Sequence, residues 1–181
     1  GHMTLQLGGP VCRCGNRGCL EALAGGWAIA QRARDAVSEE LAGARAILAL
    51  VSGDLQGISA ETVVGAAEDG NALAAGILRD AGDALAAGAS SLVNVLNPCV
   101  LVLGGGVVGG CPVLVERVRQ AVATRSLPSA GRAVTVERAR LGAHAGVIGA
   151  AAWANDSGRL RSDKTSSCQV GDRGRMCSTP A

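Results

Sequence analysis

Three cysteines lie within eight residues near the beginning of the chain, at Cys12, Cys14 and Cys19. Their spacing, Cys-x-Cys-x4-Cys, differs from the Cys-x2-Cys pair of common zinc fingers. Thiolates grouped on one short loop are zinc ligands, and His2, which precedes Cys12 by ten residues, can supply a fourth. The four residues therefore predict a closed, structural zinc site with a Cys3His donor set.

The elements around this loop have to bring His2 to the three sulfurs. Gly15 and Gly18 allow positive φ angles and let the sulfurs converge. Residues 3–7 are predicted to form a short strand, and Gly8-Gly9-Pro10 to turn the chain back toward the loop. Two alternatives remain, because a single cysteine is often a small buried residue and because residues 1–3 are also what a cleaved purification tag leaves.

Composition excludes several classes of protein. The chain has 181 residues, of which 48% are hydrophobic and only 1% aromatic, so its core must be built from aliphatic side chains. Residues 1–155 carry 12 arginines and no lysine against 12 acids, so this part of the chain is neutral. Because nucleic-acid binding depends on neutralising phosphates with basic residues, we expect no nucleic-acid binding by this segment. Without an apolar run of membrane-spanning length or a secretory leader, we expect a cytoplasmic protein, and cysteines clustered there indicate a metal.

The rest of the sequence alternates between helical and strand patterns, which predicts an α/β fold. Helical periodicity is clearest from 71 to 96, where apolar residues recur every three or four positions and Pro98 follows. The run 99–103 is too short for a helix and is predicted to be a strand buried on both faces. The remaining predicted elements are helices over 20–37 (broken at Gly25-Gly26), 60–68, 112–124 and 144–154, and a strand over 133–141.

Three segments occur together in a fixed order along the chain. The first is Gly1-His2 followed by Cys-x-Cys-Gly-Asn-x-Gly-Cys-Leu-Glu over residues 12–21, the second spans residues 96–107, and the third spans residues 141–151. Together they resemble the ROK family of sugar kinases and sugar-responsive repressors. The resemblance covers residues 1 to about 154 and leaves 155–181 as a predicted disordered tail.

The resemblance implies a fold and a sugar site. Residues 1–154 would form the C-terminal lobe of an actin-like (ribonuclease H-like), two-lobed sugar kinase, with the zinc loop at 8–21 and the N-terminal catalytic lobe absent from this chain. The histidine matching His2 would bind zinc and lie near sugar hydroxyls, and the glutamate matching Glu21 would hydrogen-bond the sugar. Judged without the family, Glu21 would be an ordinary acid in the first turn of a helix.

The same resemblance implies a nucleotide site at Gly104, Gly105 and Gly106, which follow the strand predicted at 99–103. The carboxyl end of a strand is where α/β proteins commonly bring backbone close to a nucleotide. Judged by themselves, the three glycines favour a tight turn instead.

The family includes two functions, sugar kinase and sugar-responsive repressor. Its kinases carry a phosphate loop and an Asn-Asp pair with the catalytic base upstream of the Gly-His pair, so this chain has no catalytic residue of its own and is predicted to be inactive alone. The parent protein is predicted to be an ATP-dependent hexose kinase that uses structural Zn2+, ATP and Mg2+ and forms a homodimer. The alternatives are the sugar-sensing domain of a repressor with an upstream helix-turn-helix, and a zinc-stapled binding module without sugar chemistry.

Overall fold

The computed structural model describes the backbone of residues 1–162 and the side chains of residues 1–142 and 144–155. It divides into two units, residues 1–138 and residues 139 onward, and each is described by itself. The helices and the pair of strands in the first unit agree with the predicted α/β layout. Its elements are α1 (Leu20–Ala24), α2 (Gly26–Ser38), α3 (Ala44–Ala49), a 3-10 turn (Leu55–Gly57), α4 (Ala60–Glu68), α5 (Ala72–Leu96), β1 (Val100–Leu103), α6 (Gly106–Gly110), α7 (Pro112–Arg125), α8 (Pro128–Ala133) and β2 (Thr135–Arg138).

Helix α5 is the central element of the first unit, and its extent confirms the helix predicted from periodicity. The Asn71 side chain caps its beginning by accepting a hydrogen bond from the Ala74 amide, and Asn97 ends it in a left-handed conformation. Small residues let other helices approach it closely. A Cβ on Gly82 would lie 2.8 Å from the Arg117 side chain and 3.0 Å from the Leu114 side chain, so side chains of α7 pack directly on the backbone of α5 there.

Two clusters of aliphatic side chains form the core, and α5 contributes to both. The first lies between α2, α3, α4 and the beginning of α5, with Ile29, Ile47 and Val63 fully buried. The second lies between the end of α5, the two strands, α7 and α8, with Val93 and Val118 fully buried. A core of isoleucine, valine and alanine is what a chain without phenylalanine or tyrosine must build.

Strands β1 and β2 pair in parallel, with Val100 opposite Thr135 and Leu103 opposite Arg138. The prediction that the first of them is buried on both faces is wrong. Val100 and Val102 are 52% and 58% exposed, whereas Leu103 is buried. Alternate side chains point to opposite faces, and within residues 1–138 a covering layer of helices lies on one face only.

The strand predicted at residues 3–7 is also not formed. Thr4 makes one isolated antiparallel bridge with Cys19, and beyond it the amides of Leu5 and Gln6 both donate to the Gly18 carbonyl, over 2.8 and 3.2 Å. Two donors on one acceptor break the regular ladder of a sheet. The segment nevertheless lies beside the cysteine loop, as the zinc hypothesis requires.

The second unit begins with a 3-10 turn, Gly142–His144, followed by helix α9, Ala145–Ser162. This confirms the helix predicted at 144–154 but extends it, so residues 155–162, which were predicted to be disordered, are helical. Residues 163–181, the remainder of the predicted tail, lie outside the described residues. Among the helices described, none combines the length and apolar character needed to cross a membrane.

Candidate metal centre and adjoining cleft

Backbone hydrogen bonds close the loop that carries the cysteines. The Cys12 amide donates to the Asn16 carbonyl over 2.8 Å, and the Gly18 amide donates to the Pro10 carbonyl over 2.8 Å. A second isolated bridge joins Val11 to Arg17 across the loop. These hydrogen bonds hold the backbone of the loop in one conformation around the cysteines.

Glycines at 15 and 18 have the positive φ angles that the sequence predicted, 90° and 67°. They differ in the space around them. A Cβ on Gly18 would lie 1.7 Å from the Gln6 carbonyl oxygen, whereas one on Gly15 would meet no atom within 4 Å. Gly18 is therefore required by both backbone conformation and close packing, and Gly15 by conformation alone.

The four predicted ligands converge on one point. Their donor atoms all lie within 4.8 Å of one another, and among the described residues they form the group able to hold a metal ion. The Cys12 Sγ is 3.6 Å from His2 Nδ1, and the Cys14 Sγ is 3.7 Å from the Cys19 Sγ. Tetrahedral zinc with bonds of about 2.3 Å to sulfur and 2.0 Å to nitrogen separates its ligand atoms by roughly 3.5–3.8 Å. The donor set and its spacing fit zinc.

Two thiols of this cluster have pKa values that are shifted in opposite directions. The pKa of Cys14 is lowered, chiefly by a hydrogen bond from the Asn16 amide and then by its bond with Cys12. Burial raises the pKa of Cys19 to about 11, with hydrogen bonds to Cys14 and Cys12 adding to the effect. A metal ion needs thiolates, so its binding has to displace protons from the cluster, most of all from Cys19.

Glu21 lies two residues after the ligand Cys19, in the first turn of α1. Its amide donates to the Gly1 carbonyl over 2.7 Å, which ties the helix to the beginning of the chain. The side chain is half-buried and faces a cavity of about 330 Å³, and no described residue donates a hydrogen bond to its carboxylate. A half-buried carboxylate without a partner is suited to accept hydrogen bonds from a ligand.

The glycines predicted to contact nucleotide line this same cavity, which we call the Glu21 cavity. Gly104 follows β1, Gly105 has a φ of 111° and a ψ of 164°, and Gly106 begins the short helix α6. No atom lies within 4 Å of a Cβ built on Gly105 or Gly106. The turn therefore presents bare backbone to open space, at the end of a strand.

A second cavity of about 420 Å³, which we call the Arg34 cavity, adjoins the first and shares Gly26, Gly106 and Val107 with it. Arg34 is half-buried on its wall and donates to the carbonyls of Leu55 and Ile58, over 3.2 and 2.8 Å. Its remaining nitrogen donates to the Gln31 side chain over 3.2 Å, and among the described residues it has no carboxylate partner, although Glu61 lines the same cavity. Arg34 therefore places a positive charge at the wall of this cavity.

The structure thus brings the predicted residues into two neighbouring groups. His2 lies with the three cysteines, while Glu21 and the three glycines line one cavity, together with Gly1 and Gly25. Sequence reasoning missed Gly25 and Arg34. The pair Gly25-Gly26 was visible as an interruption of a helical pattern, and nothing in the sequence distinguished Arg34 from the other arginines.

The model of the ROK family matches residues 1–157. A glucokinase of Thermotoga maritima is 30% identical over 151 residues, which are 83% of this chain and 47% of that protein. A xylose repressor of Bacillus spizizenii is 26% identical over 149 residues, which are 82% of this chain and 34% of the repressor.

Solved structures show the same similarity. A ROK family glucokinase from Streptomyces griseus, in complex with glucose and AMPPNP, superimposes with a TM-score of 0.71 at 27% identity. The superposition covers 84% of this chain and 49% of the glucokinase. The chain spans about half the length of the glucokinases that it matches and about a third of the repressor.

Proposed function

Because this chain belongs to the ROK family, we propose that the whole protein is an ATP-dependent kinase of a glucose-type hexose, and that this chain supplies its zinc loop and parts of its sugar and nucleotide sites. In this proposal residues 1–154 belong to the C-terminal lobe of an actin-like, two-lobed enzyme. The observation that carries it is that the unpartnered Glu21 carboxylate and the Gly104–Gly106 turn face one cavity. A phosphoryl acceptor and its donor have to meet in one such space.

Glu21 is assigned to the sugar. A carboxylate can accept hydrogen bonds from two neighbouring hydroxyls. The direction of this side chain is fixed because helix α1, which carries it, begins directly after the zinc ligand Cys19. His2 would bind zinc through Nδ1 and turn its other ring nitrogen toward the sugar hydroxyls. Zinc has a structural role here, since four protein ligands leave it no open position. The zinc loop therefore braces the wall of the sugar site.

The nucleotide is assigned to the glycine turn and the Arg34 cavity. Bare backbone at Gly105 and Gly106 allows close approach of phosphates, and the Arg34 guanidinium adds a positive charge beside them. Mg2+ would enter with ATP and would neutralise negative charge on its phosphates. The base that deprotonates the sugar hydroxyl is expected upstream of Gly1-His2, so we expect this chain alone to bind ligands without transferring phosphoryl.

A second function is supported by the similarity to the xylose repressor. In that case the same lobe would sense a sugar, and a helix-turn-helix upstream would bind DNA. The two functions share Glu21 and the zinc loop and differ in their use of nucleotide. The sequence directly upstream of Gly1 would also distinguish them, since a phosphate loop indicates a kinase and a helix-turn-helix a repressor.

Ligand binding to the zinc-loaded chain tests the proposal. We expect glucose and AMPPNP each to raise its melting temperature and to give saturable signals in ligand-observed NMR, with both bound at once, since the two cavities adjoin. Glucose binding without nucleotide binding would favour the sensing domain. A folded, zinc-loaded chain that binds neither would contradict both functions and support a binding module without sugar chemistry.

A further inference from the structure

Two glycines flank the carboxylate of Glu21. A Cβ on Gly1 would lie 2.8 Å from Glu21 Oε2, and a Cβ on Gly25 would lie 2.8 Å from Glu21 Oε1. Both distances are shorter than Cβ atoms in proteins tolerate. Each carboxylate oxygen therefore approaches a stretch of backbone that only glycine leaves open.

Backbone conformation does not require glycine at position 25, because Gly25 has a φ of −69° and a ψ of 152°, which any residue adopts. Both glycines are fixed to Glu21 itself. Gly1 accepts a hydrogen bond from the Glu21 amide over 2.7 Å, and the Gly25 amide donates to the Glu21 carbonyl over 3.0 Å. Gly1 and Gly25 thus form the two walls of a slot around the Glu21 carboxylate, and both walls are hydrogen-bonded to the backbone of Glu21.

We propose that Gly1 and Gly25 are positioning residues that hold the plane of the Glu21 carboxylate toward the cavity, so that its two oxygens accept hydrogen bonds from two neighbouring sugar hydroxyls. All three residues line the Glu21 cavity, and no described residue donates a hydrogen bond to the carboxylate. The slot fixes the direction of the side chain by shape and leaves both oxygens free for ligand. It thereby selects which pair of hydroxyls is accepted. This inference rests on the proposed sugar site.

Gly1→Ala is the sharper test, because its new methyl group would meet only the end of a flexible side chain. We expect the carboxylate to turn aside, so that glucose affinity falls at least about tenfold while the melting temperature of the zinc-loaded chain stays unchanged. We also expect the preference for glucose over the deoxyglucoses that lack the contacted hydroxyls to disappear. Gly65→Ala is the matched control, since Gly65 lies in α4 with open space around it, and it should leave affinity and preference unchanged.

Gly25→Ala should weaken glucose binding as well, but with a lower melting temperature, because its Cβ would also lie 2.5 Å from the Glu21 carbonyl oxygen. A conservative change tests whether the effect passes through the carboxylate. Glu21→Asp withdraws the carboxylate by one methylene, so Gly1→Ala should cause no further loss of affinity in that background.

Each failure has a separate meaning. A wild-type chain that binds no glucose would overturn the proposed function before this inference is reached. Glucose binding that depends on Glu21 but survives Gly1→Ala and Gly25→Ala would overturn the inference alone. An equal loss on adding Gly1→Ala to wild type and to Glu21→Asp would also overturn it, because the glycine would then act by another route.

Discussion

Cys19→Ser is expected to abolish stoichiometric zinc binding and to lower the free energy of unfolding by more than about 4 kcal/mol, the range reached when a protein loses a structural metal. Cys19 is fully buried, lies 3.7 Å from Cys14 and joins the loop to α1. Replacing its sulfur leaves a hydroxyl that binds zinc poorly. Denaturant unfolding of both proteins, with zinc measured by mass spectrometry, gives the comparison.

Cys111→Ser is the matched control for this change. Cys111 is also a buried free thiol, but it lies before α7 and outside the metal cluster. It should keep one zinc per chain and lose about 1–2 kcal/mol, the cost of placing a hydroxyl in an apolar site. Equal destabilisation by the two substitutions, with no zinc in the wild type, would show that these residues do not form a metal centre.

Glu21→Gln is expected to weaken glucose binding by about 30-fold or more, because hydrogen bonds to a charged group contribute about 2 kcal/mol and the amide replaces one acceptor by a donor. The substitution keeps the size of the side chain, so the slot between Gly1 and Gly25 stays filled. Isothermal titration of the zinc-loaded variants with glucose measures the change.

Glu68→Gln provides the control, because Glu68 is an exposed acid at the end of α4 and lines neither the Glu21 cavity nor the Arg34 cavity. It should bind glucose as the wild type does. Unchanged glucose affinity in Glu21→Gln would contradict the assignment of Glu21 to the sugar. Equal loss in both variants would point to a general effect of charge.

The parts of the structure that sequence predicted best are those with strong local constraints. The chemistry and spacing of Cys12, Cys14 and Cys19 left few arrangements open, and the glycines at 15 and 18 adopt the positive φ angles that the turn needs. Helix α5 followed from a long periodic pattern with a proline beyond its end. In each case neighbours along the chain carry the information.

The sequence-based predictions were wrong where contacts with residues distant in the sequence determine the local structure. Residues 3–7 have the alternation of a strand, yet Leu5 and Gln6 both donate to Gly18, a contact that no local pattern reveals. The run ending in Leu103 is apolar throughout, but burial depends on which layers cover the strand. Short helices such as α3 and α8 were missed because they are too brief to display a period.

The arrangement of residues in the cleft was the feature that sequence predicted least. Glu21 and the turn at Gly104–Gly106 are more than eighty positions apart in the sequence, and only the folded chain brings them to one cavity. The slot around the Glu21 carboxylate was also invisible in the sequence. There, Gly25 was one half of a glycine pair that interrupts a helical pattern, and its close approach to Glu21 appears only in three dimensions.

Zinc K-edge X-ray absorption on the purified chain tests whether His2 and the three cysteines hold a zinc ion beside this cleft. We expect one zinc per chain, with three sulfur neighbours at about 2.3 Å and one nitrogen neighbour at about 2.0 Å. His2→Ala should remove the outer-shell scattering of the imidazole ring and leave the three sulfurs in place. A folded chain without zinc, or a metal shell with fewer than three sulfurs, would contradict this expectation.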